Sequence, residues 1–145
     1  MQPNFNQLLP EFPDYSRVWL YLADRKLTAD EASSVQEQLN SFTAQWAAHN
    51  KQLMAAGVLL FDQYIVLTVN EKVESASGCS IDSSVRFIKN LGQQLQVDFF
   101  NRLKVLVIEN DEPQLVSYFD ATAQQMHYLD PMITNLGELR SNWLK

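Results

Sequence analysis

The run Gly78-Cys79-Ser80, followed closely by Ser83, holds the residue types best suited to chemistry in this sequence. These small residues lead into a predicted helix, where free N–H groups and the positive end of the helix dipole gather. Such a position can bind an anion, and it can also stabilise a cysteine thiolate. The four residues are therefore a candidate site for a small anionic ligand, with Cys79 as a candidate nucleophile. The favoured alternative is a helix cap built of small residues, since the Asp82 carboxylate would compete with an anion.

A histidine on a predicted helix is the second chemical candidate. A capping box at Thr28 and Glu31 predicts the start of this helix, and apolar residues then recur at spacings of three and four. The predicted inward face consists of Val35, Leu39, Phe42, Trp46, His49 and Leu53. His49 could act as the base for a Cys79 nucleophile, or it could be a core residue with one hydrogen bond. Nothing in the sequence brings the two side chains together.

Several kinds of chemistry are excluded by residue types and positions. One cysteine and two scattered histidines give no metal-ligand spacing, so no metal and no cofactor are predicted. None of the four glycines is followed by lysine, and their positions also forbid the GxGxxG pattern. The sequence therefore predicts neither an ATPase nor a dinucleotide-binding enzyme.

Length and charge narrow the class further. The chain has 145 residues, 46% of them hydrophobic, and a net charge of −6. One domain with a substantial core is expected at this length. The negative balance argues against nucleic-acid binding. No secretory signal or membrane-spanning run is recognised, so we expect no membrane insertion and a cytoplasmic location.

The order of predicted elements through residue 109 is β-α-β-β-α-β, a ferredoxin-like pattern within the α+β class. Turns are expected at Gly57 and at Asp62-Gln63, and Ser80 or Asp82 is expected to cap the second helix. Residues 1–145 are interpreted as a single domain with an irregular N-terminal arm over 1–16. Residues 110–145 form an extension with an extra strand, a helix, or both. This extension is expected to cover the sheet or to make the subunit contact.

The first predicted strand is apolar in both alternating phases. Val18, Leu20 and Leu22 form one set, and Trp19 and Tyr21 form the other. A sheet with one solvated face alternates apolar with polar residues, so this sheet needs cover on both faces. Either the C-terminal residues or a second subunit supplies the second cover. A homodimer that uses Trp19 and Tyr21 is therefore a candidate assembly.

Three segments carry a resemblance to a known family: Val18–Lys26, Gln45–His49 and Ala76–Lys89. They resemble a family of small uncharacterised bacterial proteins that are commonly labelled "ABC transporter ATPase". The similarity runs from about Arg17 to Trp143, and the Gly78–Asp82 string is its most specific part. The family implies no activity or site residue that could be transferred, and the ATPase label conflicts with the missing phosphate-binding loop.

Two functions remain from these observations. The first is a small cytoplasmic binding or protein-interaction module without nucleotide hydrolysis, and this interpretation favours a protein that is not an enzyme. The alternative is a thiol-dependent small enzyme or redox protein, with Cys79 at a helix start and His49 as base. A nucleic-acid-binding role is the weakest interpretation on charge.

Overall fold

The structure is a computed structural model that describes residues 3–145. Helices and strands are mixed along the chain, which confirms the α+β class. The elements are β1 (Arg17–Leu22), α1 (Ala29–Gln45), β2 (Ala47–Ala48), β3 (Lys51–Gln52), β4 (Ala55–Leu60), β5 (Tyr64–Val69), α2 (Gly78–Leu95), β6 (Lys104–Glu109), β7 (Glu112–Ser117), α3 (Tyr118–Ala123) and α4 (Leu136–Asn142).

The start of α1 is the capping box that the sequence predicts. The Thr28 hydroxyl accepts a hydrogen bond from the Glu31 amide at 3.2 Å, and the Glu31 carboxylate accepts one from the Thr28 amide at 2.9 Å. The expected turn at Gly57 is wrong, because Gly57 lies inside β4. A Cβ atom there would lie 3.0 Å from the Leu67 side chain and 3.3 Å from that of Leu39. Glycine therefore lets α1 pack close to the strand.

The main sheet has three strands in the order β1-β5-β4, and β5 is antiparallel to both neighbours. A ferredoxin-like sheet would place its last strand beside β1. Instead β6 pairs with β7 in a separate sheet, so the ferredoxin-like order is not confirmed. The outer edges of the main sheet are therefore β1 on one side and β4 on the other.

Both faces of the main sheet are covered by the chain itself. Tyr21 and Ile65 face α1 and α2, where they pack with Leu39 and Ile88 in one core cluster. The opposite face forms a second cluster with β6, α4 and the segments around them. Its buried members are Phe12, Val18, Leu20, Leu22, Tyr64, Val66, Leu106, Ile108, Leu129, Ile133, Leu136, Leu139 and Trp143. The molecule therefore has a helical layer, the main sheet and a C-terminal layer.

The N-terminal arm is held against this second cluster by Arg140. Its guanidinium donates to the backbone carbonyls of Leu8, Leu9 and Phe12 and to the Asp14 carboxylate at 2.7 Å. Hydrogen bonds from a charged donor are stronger than neutral ones, so one side chain can fix an arm that lacks regular structure. The first two residues of the predicted arm 1–16 lie outside the described residues.

Candidate functional site

The start of α2 uses its polar groups largely within itself. Ser77 is the N-cap, and not Ser80 or Asp82 as expected from the sequence. The Ser80 hydroxyl accepts from the Ser77 amide at 2.7 Å and donates to the Ser77 carbonyl at 2.8 Å. The Ser83 hydroxyl donates to the Ser80 carbonyl at 2.8 Å. Ser80 and Ser83, two of the residues proposed to bind an anion, therefore use their hydroxyl groups in hydrogen bonds with the helix backbone. Gly78 and Cys79 are exposed.

His49 does not lie on α1, and the prediction that it does is wrong. The helix ends at Gln45, and Ala47–Ala48 then pairs with Lys51–Gln52 in a short hairpin. His49 and Asn50 form its turn with φ angles of 52° and 63°, and His49 is exposed. A left-handed pair of residues is typical of a two-residue hairpin turn.

Cys79 and His49 make no hydrogen bond with each other in the described part of the chain. The hairpin lies beside α2, because the buried Trp46 indole donates to the Ser80 carbonyl at 2.8 Å. However, His49 does not line the surface depression at Cys79. The other residues that line it are Asp82, Val85, Arg86 and Lys89. The pairing of Cys79 as nucleophile with His49 as base therefore stays a prediction, and no contact between the two residues supports it.

Trp19 and Tyr21 face the helical layer of their own chain. Tyr21 is only 4% exposed, and its ring contacts Phe100 edge to face with centroids 5.5 Å apart. Trp19 contacts Trp46 in the same manner at 5.7 Å. The expectation that Tyr21 serves a subunit contact is therefore wrong, because α1 and α2 already cover it.

An open cleft runs along the outer edge of β1. It has a volume of about 250 Å³, and its facing wall is the segment 131–134. The residues that line it are Arg17, Val18, Trp19, Leu20, Tyr21, Arg102, Pro131, Met132, Ile133 and Thr134. The cleft lies where the main sheet ends.

The backbone of Leu20 faces this cleft. Antiparallel strands alternate residues that bond across the pair with residues whose N–H and C=O point away. The Val18 amide points away from β5, because it donates to the Thr134 carbonyl at 3.0 Å, and Leu20 shares this phase. No backbone or side-chain partner of the Leu20 N–H or C=O is found on this side within residues 3–145.

Two contacts limit the length of this open edge. The bond from Val18 to Thr134 closes one end, and the Asp24 amide closes the other by donating to the Asp98 carbonyl at 3.1 Å. These points are about 20 Å apart along an extended strand. The open edge is therefore short, bounded, and able to pair only with a short extended segment.

Arg102 supplies the free charge of the cleft. The residue is exposed, and its guanidinium makes no hydrogen bond or ion pair with the described residues. Burial raises the pKa of Tyr21 and of Tyr64, and the nearby Arg102 charge opposes both increases. Arg102 lines the cleft beside Leu20 and Tyr21, at the open part of the β1 edge.

Sequence patterns did not predict this cleft. The weak signal was the basic pair Arg102 and Lys104 at the start of an apolar strand in an acidic chain. The sequence of β1 itself does not indicate that its outer edge lacks a partner strand. That depends on which strand β6 pairs with.

The described residues carry neither a metal-ligand cluster nor a long apolar helix. No group of three or more His, Cys, Asp or Glu side chains is arranged for a metal ion within residues 3–145. Across the same residues, no helix combines the length and apolar character needed to cross a bilayer. The cleft beside β1 is therefore the best-defined candidate site.

Comparison with known proteins gives no relative on which to base a function. No family model matches the chain, and neither a curated protein nor a solved structure is significantly similar to it. The resemblance to the family labelled "ABC transporter ATPase" therefore stays a prediction, and function must be argued from the geometry of the site.

Proposed function

We propose that this protein is a binding module that receives a short extended peptide segment at the outer edge of β1. The observation that carries the proposal is the unpaired backbone of Leu20, which faces a cleft while its side chain is buried in the core. Main-chain hydrogen bonds to an exposed strand edge are a general means of binding extended peptides. The guest would complete the sheet at the position of the fourth ferredoxin-like strand.

The rigidity of β1 supports this role. Its two phases are packed in separate core clusters, with Leu20 on one face and Tyr21 on the other. The edge is therefore held in extended geometry before any guest arrives, which lowers the ordering cost of binding. The cytoplasm is the proposed location, because the exposed thiol of Cys79 stays reduced there.

A second copy of the chain does not suit this edge. The segments around Thr134 and Asp98 stand at the two ends of the open part of β1. A β1 strand from another copy would bring the same two segments to the same bounded edge. A slender peptide brings no such segments and is therefore the occupant that the bounded edge favours.

The test is a selection of random heptapeptides against the full chain, followed by titration of the selected peptides into ¹⁵N-labelled protein. We expect the amide signals of Leu20 and Leu22 to shift most. Met132 is 77% exposed at the rim of the cleft, and Met132→Trp should obstruct entry and weaken binding at least about tenfold. Val73→Trp, at an exposed position that does not line the cleft, is the matched control.

Two outcomes would overturn the proposal. One is a selection that yields no peptide able to shift the Leu20 amide. The other is a set of peptides whose affinity falls equally with Met132→Trp and with Val73→Trp, since binding would then not depend on the cleft.

A further inference from the structure

We infer that the guest is a free peptide C-terminus whose carboxylate is bound by the Arg102 guanidinium. The inference rests on the strand addition proposed above and specifies which part of a peptide enters the cleft. Three features of the cleft support it: its charge, its closed ends and the position of Arg102.

The charge of the cleft is opposite to that of the chain. The protein has 17 acidic and 11 basic residues, yet the cleft is lined by two arginines and by no aspartate or glutamate. Arg17 is already engaged, because it lies 3.9 Å from the Glu71 carboxylate and 4.8 Å above the Trp19 ring. Arg102 is left to bind an incoming anion, and a guanidinium can hold a carboxylate through two parallel hydrogen bonds.

The closed ends favour a chain terminus over an internal segment. A continuous chain would have to enter and leave past Thr134 and Asp98, which stand over the two ends of the open edge. A chain that ends inside the cleft needs only one entrance. Its last residues can pair with Leu20, and its carboxylate then lies within the cleft.

The position of Arg102 places a bound carboxylate beside the open edge. Arg102 lines the cleft together with Leu20 and Tyr21. Asp24 accepts from the Asp98 amide at 3.0 Å and Asp98 accepts from the Phe100 amide at 2.7 Å, and neither carboxylate lines the cleft. A guest whose carboxylate meets Arg102 therefore ends at the open part of the edge, where its last residues can pair with Leu20.

The test uses two probes that differ in one group: acetyl-Val-Thr-Val-Thr-Val with a free carboxylate, and the same peptide as a carboxamide. Affinities are measured by titration into ¹⁵N-labelled full-length protein, with the Leu20 amide and the Arg102 side-chain Nε–H as reporters. We expect the carboxylate peptide to bind at least about tenfold more tightly, as hydrogen bonds to charged groups do. Arg102→Gln should abolish this difference, while the carboxamide peptide should still shift the Leu20 amide.

Lys104→Gln is the matched control, because it removes the same charge from an exposed residue two positions away that does not line the cleft. If Lys104→Gln reduces the preference as much as Arg102→Gln, the effect is general electrostatics and the inference is overturned. If both peptides shift Leu20 with equal affinity, strand addition stands and carboxylate recognition fails. If neither peptide shifts Leu20, strand addition itself fails, and the inference fails with it.

Discussion

The side-chain amide of Gln36 takes the place of a neighbouring strand beside Gly57. Its Nε2 donates to the Gly57 carbonyl at 3.0 Å, and its Oε1 accepts from the Leu59 amide at 3.0 Å. One side chain of α1 therefore supplies the donor and the acceptor that a paired strand would offer to the outer edge of β4. Exposed strand edges invite pairing with other chains, and natural proteins cover them.

The two edges of the main sheet differ in this respect. The β4 edge is covered in its middle by Gln36, whereas the β1 edge is covered at its ends by Thr134 and Asp98 and is open at Leu20. Cover at both ends prevents uncontrolled extension of the sheet and still leaves room for a short guest. This contrast is the structural basis of the proposed binding role.

Substitution of Gln36 tests the cover of the β4 edge. In Gln36→Glu the side chain still accepts from Leu59, but its carboxylate faces the Gly57 carbonyl without a donor. We expect the free energy of unfolding to fall by about 1–3 kcal/mol, measured by urea denaturation. Gln36→Met loses both hydrogen bonds and should also associate with increasing protein concentration in light scattering.

Gln93→Met is the control for this pair, because Gln93 is an exposed glutamine on α2 that does not belong to β4 or α1. It should leave both stability and association close to those of the wild type. Equal stability of the Gln36 and Gln93 variants would mean that the side-chain cover does not stabilise the edge.

Hydrogen exchange of β1 tests whether its outer edge is open in the free protein. The amides of Trp19 and Tyr21 point to β5, whereas that of Leu20 points into the cleft. We expect the Leu20 amide to exchange at least about tenfold faster than that of Tyr21, because its exchange needs no separation of strands. The comparison lies within one strand and so controls for global unfolding. Equal protection of the two amides would show that the edge is already paired.

Local signals in the sequence predicted the elements well. The capping box of Thr28 and Glu31 predicted the start of α1. The turn between β4 and β5, with positive φ angles at Phe61 and Asp62, overlaps the turn expected at Asp62-Gln63. Trp46 and Leu53 misled the prediction of the helix end. They continue the helical spacing, but they are brought together by the hairpin between them, with the Leu53 amide donating to the Trp46 carbonyl at 2.9 Å. Periodicity alone cannot separate these two causes of burial.

The candidate site could not be predicted because it depends on contacts that are distant in sequence. The cleft exists because β6 pairs with β7, and because Thr134 reaches β1 from more than one hundred residues away. The sequence showed that β1 is apolar in both alternating phases, so both of its faces must pack against other elements. It did not show which edge of the strand would be left without a neighbour.

Gly92 lies inside α2 at a point of close packing that can be tested. A Cβ atom at this position would lie 2.7 Å from the Val97 carbonyl oxygen, which belongs to the backbone. The Gly92 carbonyl also accepts from the amide of Gln96, the left-handed C-cap of α2. Gly92→Ala should therefore destabilise the protein by about 1–3 kcal/mol in urea denaturation, despite the better helix propensity of alanine.

Gly78→Ala is the matched control in the same helix, because nothing lies within 4 Å of a Cβ atom at that position. It should be neutral or stabilising by up to about 1 kcal/mol. A Gly92→Ala variant as stable as Gly78→Ala would show that the turn after α2 can shift freely.

The ion pair of Arg25 and Glu31 should make stability depend on pH in the acidic range. The two side chains form a pair of hydrogen bonds of 2.9 and 2.8 Å, and Arg25 also donates to the Leu95 carbonyl at 2.7 Å. Arg25, followed by the Thr28 amide, lowers the pKa of Glu31 from its usual 4.5 to about 2. Between these values the unfolded chain binds a proton at Glu31 that the folded protein does not bind.

Unfolding in this range therefore takes up a proton, and a lower pH favours it. The stabilisation is complete above about pH 4.5 and is lost as the pH falls towards about 2. Other carboxylates titrate in the same range, so the informative quantity is the difference in melting temperature between the wild type and Glu31→Gln. This difference should shrink as the pH falls, whereas the difference for Glu37→Gln, at an exposed position on the same helix, should stay small throughout. A wild-type advantage over Glu31→Gln that is constant from pH 6 to pH 2.5 would show that the Glu31 charge contributes nothing.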